Sequence, residues 1–293
     1  MAISAQQLRT LLGVEDETWT VGERTEEVAG DHVLERITFA AADGTPVRGF
    51  LCRPEGEGPF PAILYAHAHG AAYEIGAAEL IDGRPALLSP PGPVFARAGY
   101  VTLCIDMPTF GLRRVPGESA LTKQLLWYGK SLFGRMLTEQ AAALGYLAGR
   151  VDVDAARVGM SGISMGATLA YWLAAVEPRI VAIAHLCCYA DFATLIETGA
   201  HDLHGIYLTV PGLLAATSTG EIAGLVAPRP QLICVGDDDP LTPPLAVDRA
   251  LVETRAAYGE GPLEVLRQPG VGHRETPEMR AAVIDFFRRT LRR

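Results

Sequence analysis

The sequence predicts an α/β protein whose mostly parallel sheet is covered by helices on both faces, and three observations carry that reading. Short β-rich runs alternate with helical segments from about residue 62 to the carboxyl terminus. Two further runs before them are joined by Asp43-Gly44, a dipeptide suited to a tight antiparallel turn. A length of 293 residues with 49% hydrophobic content is enough to bury one large core.

Taken in order, residues 1–32 hold a short helical stretch and then an acidic, irregular one, expected to form an arm packed on the rest. Residues 33–293 are expected to form a single catalytic domain. Val33 to Ala40 and Pro46 to Arg53 form the antiparallel hairpin at the sheet edge. The strand-like runs that follow are Ala62 to Ala66, Tyr100 to Ile105, Arg157 to Ser161, Ile180 to Leu186, Gln231 to Val235 and Leu263 to Arg267. Between Leu121 and Arg150 a glycine-punctuated stretch gives way to a helix from Phe133 to Leu147. The last helix starts at Thr276 as N-cap, with Pro277 at its first position and Glu278 in its first turn. Residues 187–228 form the least regular segment, read as a small cap-like insertion. No internal repeat or low-complexity linker divides the chain.

A net charge of −9, from 25 basic and 34 acidic residues, disfavours nonspecific attraction to nucleic acid or anionic lipid. The arginines Arg288, Arg289, Arg292 and Arg293 complement the negative end of the terminal helix. No run reaches the apolar length of a membrane span, and Met1 to Gln7 lack the basic-then-apolar order of a signal peptide. A soluble cytoplasmic protein is therefore expected, without nucleic-acid or membrane partners. The five cysteines, Cys52, Cys104, Cys187, Cys188 and Cys234, show no C-x-x-C spacing and read as reduced core residues.

Gly162-Ile163-Ser164-Met165-Gly166 reads G-x-S-x-G between the Arg157 to Ser161 strand and an Ala-rich helix from Ala167. A sharp strand-to-helix turn there exposes a serine hydroxyl, and flanking glycines leave the turn uncrowded. A hydroxyl needs a base to become a nucleophile. His273, in the Gly-flanked loop Gln268-Pro269-Gly270-Val271-Gly272-His273 after a strand, is the candidate; His32 reads as solvent-facing and His185 as a strand residue. An acid to orient that imidazole comes from Asp237-Asp238-Asp239 after another strand, and the run itself leaves open which of the three is used. Negative charge on a substrate carbonyl calls for the backbone amide of Met165 and a second amide from Ala66-His67-Ala68-His69-Gly70-Ala71. His69 is favoured for the latter, with Ala71 one register step away.

Together these motifs resemble the α/β-hydrolase superfamily from about residue 33 onward, and within it the dienelactone-hydrolase-like and acetyl-xylan-esterase-like serine esterases. The resemblance is carried by His67-Ala68-His69-Gly70, Ile105-Asp106-Met107-Pro108 leading to Phe110-Gly111-Leu112-Arg113, Ser164-Met165-Gly166, Ala227-Pro228-Arg229-Pro230 and the His273 loop. It implies an eight-stranded sheet, a serine acyl-enzyme and ester hydrolysis of small molecules with neither metal nor cofactor. Within Gly236-Asp237-Asp238-Asp239, followed by an apolar residue and Thr242-Pro243, it points to Asp239 as the acid. Ala68 stands where many relatives have glycine, and Ser164 stands where true dienelactone hydrolases have cysteine, which argues against dienelactone as substrate.

Three rival readings compete. His67-Ala68-His69 also fits the H-x-H of metal-dependent amidohydrolases, with His201 and His204 as further ligands, but the later His and Asp ligands of that class are missing. A noncatalytic binder on the same fold is opposed by the intact Ser, Asp and His. An amidase, peptidase or acyltransferase would use the same three residues. The short insertion, with polar His201, Asp202 and His204, points to short acyl groups.

Overall fold

The computed structural model describes residues 3–291, so Met1, Ala2, Arg292 and Arg293 lie outside it. In chain order the elements are α1 (Ala5–Leu12), β1 (Thr20–Val28), β2 (Val33–Ala40), β3 (Pro46–Arg53), β4 (Phe60–Ala66), α2 (Glu79–Asp82), α3 (Pro91–Arg97), β5 (Val101–Ile105), α4 (Glu118–Trp127), α5 (Leu132–Ala148), β6 (Val153–Ile163), α6 (Met165–Val176), β7 (Ala182–Leu186), α7 (Phe192–Thr198), α8 (Leu213–Ala216), α9 (Thr219–Gly224), β8 (Gln231–Gly236), α10 (Pro244–Tyr258), β9 (Leu263–Gln268) and α11 (Pro277–Thr290).

The nine strands form one sheet in the order β1-β2-β3-β5-β4-β6-β7-β8-β9. β1 to β3 pair antiparallel, β3 pairs antiparallel with β5, and the strands from β5 through β9 run parallel. β5, β7 and β8 are buried along their whole length, as strands covered on both faces must be. One face carries α1, α5, α6 and α10, and the other carries α3 and α11, whose Phe95, Phe286 and Phe287 pack together. α6 is apolar all round and every one of its residues is buried, so it lies inside the molecule rather than on it.

The mostly parallel α/β architecture is the expected one, but the sheet has nine strands rather than eight. The extra strand, β1, falls within the stretch expected to be irregular. All nine of its residues are exposed, so it has no apolar alternation to betray it; charged side chains suit an edge position that would otherwise invite pairing. Its Arg24 pairs with Glu35, a buried carboxylate also held by Arg53 and Arg150. His32, read as solvent-facing, is instead buried at the start of the hairpin, with Nδ1 3.2 Å from Asp31. All five cysteines are buried and unpaired, and burial pushes the thiol of Cys188 up to about 12.

Candidate active site

Ser164 lies between β6 and α6 with φ 58° and ψ −122°, a backbone conformation that costs a non-glycine residue about 1–3 kcal/mol. The surroundings enforce it. The Ser164 N–H donates to the Leu186 carbonyl at the end of β7 (2.9 Å), and its carbonyl accepts from Thr168 N–H (3.2 Å). A Cβ on Gly166 would lie 1.9 Å from the Ala66 carbonyl oxygen, and one on Gly162 would lie 2.6 Å from the same atom. Only glycine lets the first turn of α6 rest on the end of β4. Ile163 and Met165 are sealed, whereas Ser164 keeps 9% of its surface.

β8 and β9 are neighbours, so the loops leaving their carboxyl ends run side by side. Asp238 N–H donates to the Val271 carbonyl (2.9 Å), and a Cβ on Gly236 would strike that carbonyl at 2.2 Å. This contact sets Asp239 against His273: Nδ1 lies 2.6 Å from Asp239 Oδ2. With the carboxylate as acceptor, Nδ1 carries the proton and Nε2 is left available. The Asp239 side chain is fully buried, and its other oxygen accepts from Leu241 N–H (2.9 Å). Asp237 instead points outward to Arg267 (2.7 Å). The structure therefore brings Asp239 and His273 together, and all three loops leave the same end of the parallel strands. Ser164 Oγ makes no hydrogen bond among the described residues.

The loop after β4 is fixed from outside itself. Its His67 is buried with both ring nitrogens engaged: Nδ1–H donates to the Ala68 carbonyl (2.9 Å), and Nε2 accepts from Met107 N–H (3.2 Å). Burial lowers its pKa to about 4, so the ring is neutral. Glu79 of α2 accepts from Ala68 N–H (3.0 Å) and from Tyr65 OH (2.7 Å) and is ion-paired with Arg84, which itself donates to the Ala68 carbonyl (3.0 Å).

His69 turns toward Glu118, the first residue of α4. Its Nε2 lies 2.6 Å from Glu118, and its Nδ1 accepts from Ala71 N–H (3.0 Å). Glu118 also accepts from Tyr73 OH (2.7 Å) and from Tyr207 N–H (2.9 Å) in the insertion. Burial alone would raise its pKa, but the hydrogen bonds from His69 and Tyr73 outweigh that and hold it below the usual range. The Tyr207 ring stacks on His69 with centroids 5.0 Å apart.

These contacts separate the two amides that the sequence left in competition. Ala71 N–H is spent on His69 Nδ1, whereas His69 N–H and Met165 N–H donate to no acceptor among the described residues. The H-x-H pair is likewise committed to structural hydrogen bonds, and His204 Nε2–H donates to the Leu241 carbonyl (3.0 Å). No group of three or more His, Cys, Asp or Glu placed to hold a metal occurs among the described residues. Glu79 and Glu118 carry no sequence signal of these roles: Glu118 lies 49 positions from His69 and reads as an ordinary first-turn carboxylate.

Parallel strands ending in a serine elbow and an Asp–His pair define an α/β-hydrolase fold. The family model of X-Pro dipeptidyl-peptidase (S15 family) matches residues 43–224, and the chain belongs to that family. The Bacillus subtilis (strain 168) protein named "Putative hydrolase YtaP" is 36% identical over 98% of both chains. Esterase FrsA of Shigella boydii is 26% identical over 78% of this chain, which spans about half of that longer protein. Among solved structures, an acetyl xylan esterase from Paenibacillus sp. R4 superposes with a TM-score of 0.69 at 19% identity, covering 98% of this chain and 93% of the other. A glucuronoyl esterase from Solibacter usitatus gives 0.70 at 14% identity, covering 97% and 91%. At those identities the likeness is one of fold. No helix among the described residues is long and apolar enough to cross a membrane.

Proposed function

We propose that this chain is a serine esterase that cleaves short-acyl carboxylic esters through an acyl-enzyme. The observation that carries the reading is the buried Asp239 carboxylate 2.6 Å from His273 Nδ1, on loops at the same strand ends as the Ser164 elbow. In this reading Ser164 Oγ attacks the ester carbonyl carbon while His273 Nε2 takes its proton. Asp239 holds the tautomer and stabilises the imidazolium. Met165 N–H and His69 N–H receive the carbonyl oxygen as it becomes an oxyanion. His273 then protonates the departing alcohol, and a water deprotonated by the same nitrogen releases the acid.

Ester rather than amide cleavage is supported by the esterases among the relatives and structural neighbours. Short acyl groups are favoured because the 187–228 insertion, read as a cap, consists of short turns and helices of four to seven residues rather than one long amphipathic lid. A cytoplasmic setting is supported by five unpaired, buried cysteines. The family description keeps peptide-bond cleavage as a second reading. A matched pair tests the two: p-nitrophenyl acetate against an Xaa-Pro p-nitroanilide. The proposal expects turnover of the ester and at most a trace with the anilide; the reverse order assigns the peptidase activity.

A further inference from the structure

The insertion carries a groove of about 640 Å³, within the size range of small-molecule sites. Leu195, Val210 and Leu213 form a buried floor, while Ile196, Ile206 and Leu214 on its walls are 53%, 41% and 42% exposed. Three large apolar side chains left facing water around one hollow mark a surface that gains from being covered. His204 also lines the groove and donates to the carbonyl of Leu241 (3.0 Å), two residues beyond Asp239. Tyr207, within the same segment, is tied to Glu118 through its N–H. The groove is thus anchored to both sides of the candidate site.

Which part of a substrate it would meet follows from the chemistry. A general acid must reach the leaving oxygen, so the alcohol lies on the His273 side of the nucleophile, while the carbonyl oxygen lies under the amides of Met165 and His69. His204, which lines the groove and bonds the Leu241 carbonyl, puts the groove on the Asp239 side of the elbow. Resting on the ester reading above, we propose that it is a subsite for an apolar alcohol portion of the ester, so that a short acyl group and an extended apolar leaving group bind on opposite sides of Ser164.

Alkyl acetates from ethyl to hexyl test this, because their alcohols have nearly the same acidity and differ only in apolar length. Full burial of a methylene is worth about fourfold in binding; in a half-open groove kcat/KM should rise about twofold per methylene, roughly tenfold or more across the series. Ethyl esters of acids from acetate to hexanoate should show no such rise. Ile206→Asp and Leu214→Asp replace side chains already in contact with water, and each should lower the hexyl-to-ethyl ratio by about fivefold. A flat acetate series, a rise confined to the acyl series, or an unchanged ratio in both variants would overturn the subsite. Failure to hydrolyse any acetate or ethyl ester would overturn the ester reading itself.

Discussion

Ser164, Asp239 and His273 leave the ends of β6, β8 and β9, and each is set by contacts made within its own loop or to the next strand: Ser164 N–H on Leu186, Asp238 N–H on Val271, Leu241 N–H on Asp239. On the opposite side of the elbow, the loop from His67 to Ala71 takes its shape from side chains brought from α2, the segment after it and α4, namely Glu79, Arg84 and Glu118. One flank is local and repetitive in its logic, since parallel neighbours put their carboxyl ends together. The other depends on two buried glutamates with different partners. Glu79 is paired with the Arg84 cation, whereas Glu118 is held by His69, Tyr73 and the Tyr207 amide. The Ser164, Asp239 and His273 loops are therefore set by local motif, while the His67–Ala71 backbone is held by remote carboxylates.

The largest losses are expected on the local flank. Ser164→Ala should cost about 10⁶-fold in kcat toward p-nitrophenyl acetate with the fold retained, because the nucleophile is gone while binding and oxyanion contacts remain; near-normal turnover would remove Ser164 from the reaction. Asp239→Asn should cost about 10⁴-fold through the wrong His273 tautomer. Asp237→Asn and Asp238→Asn should each stay within about threefold, and a crippled Asp237 or Asp238 variant would reassign the acid.

On the remote flank the expected effect is smaller. Glu118→Gln removes the charge and part of the acceptor capacity that hold His69, so kcat should fall about tenfold with KM little changed, because the amide acts on charge present only in the transition state. A change confined to KM would make Glu118 a substrate-binding or purely structural residue.

The smallest effect concerns stability rather than turnover at neutral pH. Buried His67 stays neutral down to about pH 4, whereas an unfolded histidine gains its proton near pH 6.5. The unfolded chain therefore binds more protons between those values, and stability is complete above about pH 6.5 and falls as pH drops toward 4. His67 alone accounts for about 3 kcal/mol of that loss. Thermal unfolding at pH 7 and pH 4.5 should show a smaller decline in Tm for His67→Asn than for the unaltered chain; equal declines would mean that His67 is not held neutral.

The same contrast explains what the sequence disclosed. Ser164 and His273 each sit in a short pattern whose spacing follows from a turn or a strand end, so residue type and position sufficed to nominate them. Asp239 needed the resemblance as well, because three adjacent aspartates look alike until the fold turns one inward. β1 escaped notice because an exposed edge strand has no buried face to impose alternation. Glu118 and Tyr207 escaped because their meeting with His69 depends on how α4 and the insertion pack, and no local pattern encodes that. The apolar groove was hidden in the same way: Ile196, Ile206 and Leu214 are spread over a segment whose polar His201, Asp202 and His204 dominate its sequence.

Labelling with a fluorophosphonate, followed by peptide mapping, asks whether Ser164 is the nucleophile. An activated serine at the β6–α6 elbow predicts one covalent adduct per chain, on Ser164, formed far more slowly in Asp239→Asn. An adduct on any other serine, or none under conditions in which the ester is turned over, would contradict it.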